Sequence, residues 1–409
     1  MRHKVVVIGG GPAGLMAAGK ASEKGAEVIL AEKNDRIGKK ILISGKGRCN
    51  ITNDTDIEGL IENTPGNGNF LYSSFYTFSN TDLIGFFNDL GLETKVERGG
   101  RVFPVSDSAK DVVDALLRYV NKNKVKIMLK SPVEDITHND GKVTGVVLRD
   151  GTKIECNSVL LATGGVSYPG TGSTGDGHRI AKKLGHTIVE LKPSLIPLII
   201  EEPWVKELQG LSLKNISIVM TGSNRKKIYS DFGELLFTHF GVSGPVILSA
   251  SRHILDYNYK DVRLSIDLKP ALSEDVLYDR VHRDFEKYSR KQLKNSLDDL
   301  LPQKLIPVII KLSGIPEDKF VNQITREERR RLVKLLKALE MNIIGARPIK
   351  EAIVTAGGVS TNEINPSTME SKLLKGLFFA GELIDIDAYT GGFNLTIAFS
   401  TGYLAGINC

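Results

Sequence analysis

The residues Gly9-Gly10-Gly11-Pro12-Ala13-Gly14 fit the spacing G-x-G-x-x-G between an apolar run, KVVVI, and a helix-like segment. Each position has a physical task. Gly9 permits a tight turn, Gly11 lets a pyrophosphate approach the backbone, and Gly14 lets a helix pack closely on a strand. Pro12 and Ala13 open that helix, whose free N–H groups and dipole favour an anion. Glu32, with Lys33 behind it, ends the next apolar run, where a carboxylate accepts hydrogen bonds from ribose hydroxyls. The strand–loop–helix–strand–Glu pattern points to a bound dinucleotide and leaves FAD and NAD equally open.

A second loop, GKKILISGKGRCNITN from Gly38 to Asn53, carries three lysines, an arginine and a cysteine. Gly45 and its neighbouring glycines let the backbone lie against a planar ring. Lys40 and Arg48 can stabilise an anion on that ring or on a substrate, and Asn50 adds an amide. An ordinary solvated basic loop is the competing reading. Cys49 stands among Lys46 and Arg48, which lower a thiol pKa and make it a candidate proton donor; plain packing is its alternative. His239, in Thr238-His239-Phe240-Gly241, and Tyr168, beside a glycine-rich stretch, are the other candidate catalytic groups, although a lone histidine is more often structural. Tyr389 can donate a proton or stack on a base. His178, after Gly175-Asp176-Gly177, is expected to cap or support a helix, Cys156 to pack in a hairpin, and Arg101 or Arg347 to take a carboxylate or phosphate. Cys49, Cys156 and Cys409 are far apart and odd in number, so neither a disulfide framework nor a metal site is expected.

The elements that must hold these residues can be read from periodicity. Residues 4–32 read strand, helix, strand, with Gly25 stopping the helix. Residues 35–105 are rich in glycine and asparagine, with one helix near Asp82–Leu90. SDSAKDVVDALLRYVNKN has helical apolar spacing, and residues 125–163 alternate short strands around the turns NDG and RDG. From about 191 the texture changes to period two in LSLKNISIVMT, KKIYSDFGELLFT and VRLSIDLKP. Residues 271–341 are then strongly helical, with Pro302 near a helix start and a Thr325–Glu328 capping box. A strand returns at AIVTAGG, followed by a last strand and helix at the C-terminal end.

At 409 residues the chain exceeds one ordinary domain. Its 41% apolar and 25% charged residues exclude disordered, collagen-like and membrane-spanning classes. MRHKVVVIGGG runs into glycines too early for a signal peptide, so a cytoplasmic protein is expected. The net charge of +6 permits an anionic partner without demanding one. Arg326, Arg329, Arg330, Arg331, Lys334 and Lys337 crowd one helix and can meet phosphates, or simply form a solvated face.

Two further segments favour FAD. Ala162-Thr163-Gly164-Gly165, ending the run SVLLATGG, resembles the ATGG signature of two-dinucleotide-binding flavoproteins. GLFFAGE, with Gly381 and Glu382, resembles their late motif, in which an acidic residue reaches the cofactor; Asp385 and Asp387 leave the contacting carboxylate open. There is no second strand–GxGxxG–helix unit, so NAD(P)H is expected only as a transient electron donor.

The whole chain resembles the bacterial BaiN/RdsA family of NAD(P)/FAD-dependent oxidoreductases, also called aminoacetone-oxidase-like FAD-binding enzymes. IGGGPAGLMAA, GKKILISGKGRCNITN, ATGGVSYPGTGSTGDG, FTHFGVSGPVIL and GLFFAGELIDIDAYTGGFNLTIAFSTG carry the match. The resemblance implies an α/β, two-dinucleotide-binding-type (Rossmann-like) FAD domain with a β-barrel-like insert and a helical insert. The corresponding divisions are 1–190 and 343–409 for the FAD domain, 191–270 for the β-rich insert and 271–342 for the helical one. It further implies noncovalent FAD, with Gly391, Gly392 and Asn394 of the last string among its contacts. The implied activity is reduction of a conjugated or pyrimidine-like C=C bond by hydride transfer, including a uridine of ribosomal RNA. Oxidation of a small amine or amino ketone by dioxygen is the alternative, and a flavin-bearing RNA-associated protein without turnover is a third. The partners the resemblance implies are a small-molecule or nucleobase substrate, with ribosomal RNA among the alternatives, no membrane and no oligomeric state assigned.

Overall fold

The computed structural model describes residues 3–409. The chain divides into two compact units: the first runs to Ser194 and resumes at Ile349, and the second spans Leu195–Pro348.

In the first unit, the labelled elements are β1 (Lys4–Ile8), α1 (Pro12–Glu23), β2 (Glu27–Ala31), α2 (Lys39–Ile43), α3 (Ala109–Lys122), β3 (Lys126–Met128), β4 (Ser158–Leu161), α4 (Asp176–Lys183), β5 (Leu377–Phe379) and α5 (Phe393–Asn408). The strands form one parallel sheet in the order β5-β4-β1-β2-β3. Continuous apolar runs suit strands covered on both faces, and Val5, Val6 and Val7 are fully buried. Register decides where the site forms. Ile8 pairs with both Leu161 and Ala31, Leu161 pairs with Phe379, and Ala31 pairs with Met128. The carboxyl ends of all five strands are therefore level, and the next residues, Gly9, Glu32, Ala162 and Ala380, emerge together along one edge. Open parallel sheets bind ligands at that edge.

Close approach of two helices supports it. A Cβ on Gly402 would lie 2.4 Å from the Ala13 carbonyl oxygen, and one on Gly406 would lie 2.6 Å from that of Ala17. Glycines one turn apart thus let α5 press against the first turns of α1.

The segment 35–105 holds more structure than its composition suggests. Besides the expected helix, observed at Asn80–Asp89, it contains α2, Ile57–Glu62, Tyr72–Thr77 and a sheet of Thr52–Asn53, Arg101–Pro104 and Thr94–Glu97. The extra helices are only five or six residues long, too short for a periodicity to be read.

The second unit is a closed six-stranded barrel, ordered 198–200, 241–243, 227–237, 212–222, 262–267 and 339–346. Its last strand follows the helices Glu274–Lys287, Ile306–Ser313 and Arg326–Lys337 yet pairs with 262–267 and 198–200. The expected β-rich and helical inserts are therefore one unit, with the helices as an excursion between two barrel strands. Thr325 and Glu328 make the expected reciprocal cap. Pro302 starts no helix; the next one begins at Ile306, with Pro307 in its first turn. On the basic helix, Arg329 bonds to Tyr278 and His282, and Lys337 pairs with Asp267 at 2.6 Å. Arg326, Arg330, Arg331 and Lys334 are exposed.

Candidate functional site

A cavity of about 650 Å³ opens at the carboxyl edge of the parallel sheet and is lined wholly by the first unit. That volume is usual for a ligand site. Gly9, Gly11, Pro12, Ala13, Glu32, Lys33, Lys40, Gly45, Asn50, Ala162, Thr163, Gly164, Tyr168, Gly381, Glu382, Gly391, Gly392 and Asn394, all expected from the sequence, line it.

The glycine turn works as its spacing implies. Gly9 has φ +108°, and a Cβ there would meet the Ala162 carbonyl oxygen at 2.5 Å; a Cβ on Gly14 would meet the Gly9 carbonyl oxygen at 1.9 Å. Gly14 is accordingly a packing residue and does not line the cavity. A Cβ on Gly11 would meet nothing within 4 Å, because it would project into the open space. The α1 N-terminus has no side-chain cap, so its N–H groups remain available to an anion. Glu32 is held rigidly: its Oε2 accepts from the Gly10 N–H at 2.7 Å, and its Oε1 from the Asn34 backbone and side-chain N–H groups at 2.8 and 2.7 Å. A carboxylate has about four acceptor directions, so one remains for a ribose hydroxyl.

Three segments distant in sequence are tied together by Glu382. Lys40 Nζ donates to Glu382 Oε2 at 2.5 Å and to Ser167 Oγ at 2.7 Å, while Ser167 Oγ and the Thr355 N–H both donate to Glu382 Oε1 at 2.9 Å. This settles which acid of the late motif faces the cavity. Asp387 is buried and accepts from Ser194 at 2.8 Å, and Asp385 accepts from Asn67 at 3.0 Å. Gly391 is anchored through its carbonyl by Asn53 at 3.0 Å, and Asn394 holds the loop before α5 by accepting from the Ala388 N–H and donating to the carbonyls of Ala388 and Tyr389. Lys33 pairs with Asp176 at 2.6 Å and also bonds Thr174.

Several expectations are corrected. Arg48 bonds Glu97 and Asp107 and lies over the Phe103 ring at 4.1 Å, and it does not line the cavity. Those carboxylates absorb its charge and push its own pKa up, by hydrogen bonds first from Glu97 and then from Asp107. Cys49 is fully buried, and burial pushes its thiol up to about 12 despite a hydrogen bond with Ser44. The pKa-lowering environment inferred from neighbouring cations is absent, because sequence neighbours in this twisted loop point away. Gly165 packs against Thr355 outside the lining, since a Cβ there would meet Thr355 Oγ1 at 2.4 Å. Of the two roles expected for His178, capping is excluded, since Gly175 is the N-cap residue of α4; the side chain is instead buried in that helix, and burial pushes its pKa down. His239 lies between the barrel strands 227–237 and 241–243, in the second unit.

Other lining residues had no sequence signal. Ser131, Pro132 and Val133 reach the cavity only because β3 pairs beside β2, and Ile353 and Val354 come from the return of the chain. Ser173 and Asp176, by contrast, lie in the string ATGGVSYPGTGSTGDG, whose glycine-rich composition is a sequence signal for a site.

The cavity suits FAD on its own atoms. Asn50 Oδ1 and Thr163 Oγ1 are buried in its wall without a hydrogen-bond partner, the condition of polar groups that await a ligand. With the uncapped helix, the open Gly11 and the poised Glu32, they provide for a dinucleotide with a second ring system. Among the described residues no cluster of His, Cys, Asp or Glu could hold a metal ion, and no helix is long and apolar enough to cross a membrane.

Fold and site together define a Rossmann-type, FAD-dependent oxidoreductase. The chain matches the family model of the HI0933-like protein Rossmann domain over residues 3–408 and belongs to that family. It is 32% identical to a 3-dehydro-bile acid delta(4,6)-reductase of Clostridium scindens, covering 99% of this chain and 98% of the relative. It is also 32% identical to a ribosomal RNA dihydrouridine synthase of Haemophilus influenzae, over 98% of this chain and 97% of the relative. A solved 3-ketosteroid delta1-dehydrogenase of Sterolibacterium denitrificans shares the fold, with TM-score 0.54 at 14% identity, covering 98% of each chain.

Proposed function

We propose that the protein reduces a carbon–carbon double bond conjugated to a carbonyl, and that its substrate is the uracil ring of an RNA nucleotide. The observation that carries this reading is the chemistry common to the two full-length relatives named above. Reduction of a delta(4,6) 3-oxo compound and formation of dihydrouridine both add two hydrogens across an alkene polarised by a carbonyl. The net charge of +6 permits an anionic substrate such as RNA, and the ribosomal RNA dihydrouridine synthase relative supports that choice.

When bound in the cavity, FAD would supply the hydride, with NAD(P)H as the proposed electron donor. The residues of this chain do the rest. Gly9, Gly11 and the α1 N-terminus would hold its pyrophosphate, and Glu32 would accept from a ribose hydroxyl. The Lys40–Ser167–Glu382 bonds hold the cavity walls in register, so little must be reordered when a ligand enters. The carbon next to the hydride acceptor needs a proton. Tyr168 is the group assigned to donate it: it lines the cavity and is 38% exposed, so a phenol proton lost to substrate is replaced from water. Cys49 has no part in the transfer.

The test is anaerobic incubation of the FAD-loaded protein with NAD(P)H and, in parallel, unmodified ribosomal RNA and a 3-oxo-4-ene sterol. Dihydrouridine formed in the RNA, read by mass spectrometry, is the expected result. Reduction of the sterol alone would keep the reaction class and overturn the RNA substrate. Fast reoxidation of the reduced protein by dioxygen, with neither substrate altered, would overturn both in favour of an oxidase.

A further inference from the structure

Five cationic side chains line the cavity, and four have a carboxylate partner within the protein, two of them sharing Asp35. Lys33 pairs with Asp176 at 2.6 Å, Lys39 and Arg36 with Asp35 at 2.8 and 3.8 Å, and Lys40 with Glu382 at 2.5 Å. Lys46 has no carboxylate partner among the described residues, and it is exposed. Its backbone makes the position more unusual. Lys46 sits at φ 59°, ψ 39°, in the left-handed region, between Gly45 and Gly47, which are also at positive φ. Glycine adopts that conformation without steric cost, whereas lysine does not. A strained residue that also lines a ligand cavity is a reason to look for function.

We infer that Lys46 is a substrate-positioning residue that binds the phosphate of the nucleotide whose base enters the cavity. The inference rests on the proposed RNA substrate. Lys46 is exposed, whereas the glycine turn that would take the cofactor pyrophosphate is half-buried to buried, so the free cation faces what arrives from solvent. Ile43 and Tyr168, 48% and 38% exposed, line the same cavity and present apolar faces. Aromatic and apolar faces for a base together with a cation for its phosphate are what recognition of an unstacked nucleotide requires. A lysine on a flexible stem suits a phosphate as a point charge that follows the backbone.

Binding to the FAD-loaded protein, read from perturbation of the flavin absorbance, tests this with uridine and uridine 5′-monophosphate. The native protein is expected to bind the phosphorylated form about tenfold more tightly, the equivalent of one charge-assisted contact. In Lys46→Gln the two ligands should bind alike, with uridine affinity unchanged, and Lys46→Arg should keep most of the preference. In Lys46→Gly the preference should vanish while the melting temperature holds or rises, because the left-handed strain is relieved. That last result separates ligand binding from a structural role, for which the glycine variant would melt lower.

A phosphate preference that survives in Lys46→Gln would overturn the inference while leaving RNA reduction standing. A preference lost in Lys46→Gln, in a protein that reduces neither uridine nor RNA, would keep the anion site and overturn the proposed function. If neither ligand perturbs the flavin, both fall. A loss seen only with a carboxylate-bearing 3-oxo sterol would overturn the phosphate assignment.

Discussion

Gly11 and Gly14 stand three positions apart in one motif and are irreplaceable for different reasons. At Gly14 the space is filled by the Gly9 carbonyl oxygen, whereas at Gly11 it is open cavity. Gly14→Ala should therefore cost several kcal/mol of fold stability, of the order seen when a core is overpacked against backbone. Gly11→Ala should leave the melting temperature of the FAD-free protein within about 2 °C and weaken FAD at least tenfold. Thermal melts and FAD titration of the two variants measure this split directly. Cys49 gives the opposite lesson. With its thiol raised to about 12 it stays protonated at pH 8, so iodoacetamide should modify it only as fast as the protein opens, and Cys49→Ala should keep bound FAD and turnover. Alkylation of the folded protein within minutes would refute the burial argument. All three residues belong to glycine-rich strings, and only the space around each one tells them apart.

Among the elements, the contact of α5 with α1 bears most directly on the cofactor. Gly402 faces the Ala13 carbonyl, in the turn of α1 that is expected to meet the pyrophosphate. Gly402→Ala would push that turn toward the cavity and is expected to weaken FAD more than tenfold and to destabilise the fold by about 2–3 kcal/mol. An unchanged FAD affinity would show that the helix contact does not set the pyrophosphate site. The long amphipathic α3 and the capping box at Thr325 follow local rules and are legible in the sequence. The short helices of 39–77 and the placement of Ser131–Val133 are not, because the first lack a full period and the second depends on which strand β3 joins.

For the whole molecule, pH should act in one direction. Burial pushes His178, His186 and His253 down, so each is neutral in the folded state and its folded pKa lies below the unfolded value of about 6.5. The unfolded chain takes up protons first as pH falls, so their contribution is complete above about 6.5 and is lost progressively below it. Glu97 and Asp107 follow at lower pH, since hydrogen bonds from Arg48 to the first, and from Lys95 and then Arg48 to the second, hold them below the usual carboxylate range. Melting temperature should decline from pH 7 to 5, by about 1 °C for each kcal/mol lost in a chain of this size. A flat profile would contradict the buried, neutral histidines.

By itself the sequence determined the dinucleotide turn, the acid after β2 and the departure and return of the chain. All of these depend on local spacing, and local spacing fixes backbone geometry wherever glycine, proline and a caps-and-strands pattern agree. Only the tertiary structure decided that Glu382 faces the cavity while Asp385 and Asp387 do not, that Arg48 is already paired, that Cys49 is buried, and that Lys46 is the cation left free. Those outcomes depend on which side chains from distant segments meet. Pairing and burial act through space, and no spacing along the chain encodes which of several neighbouring charges will find its partner within the protein and which will be left for a ligand.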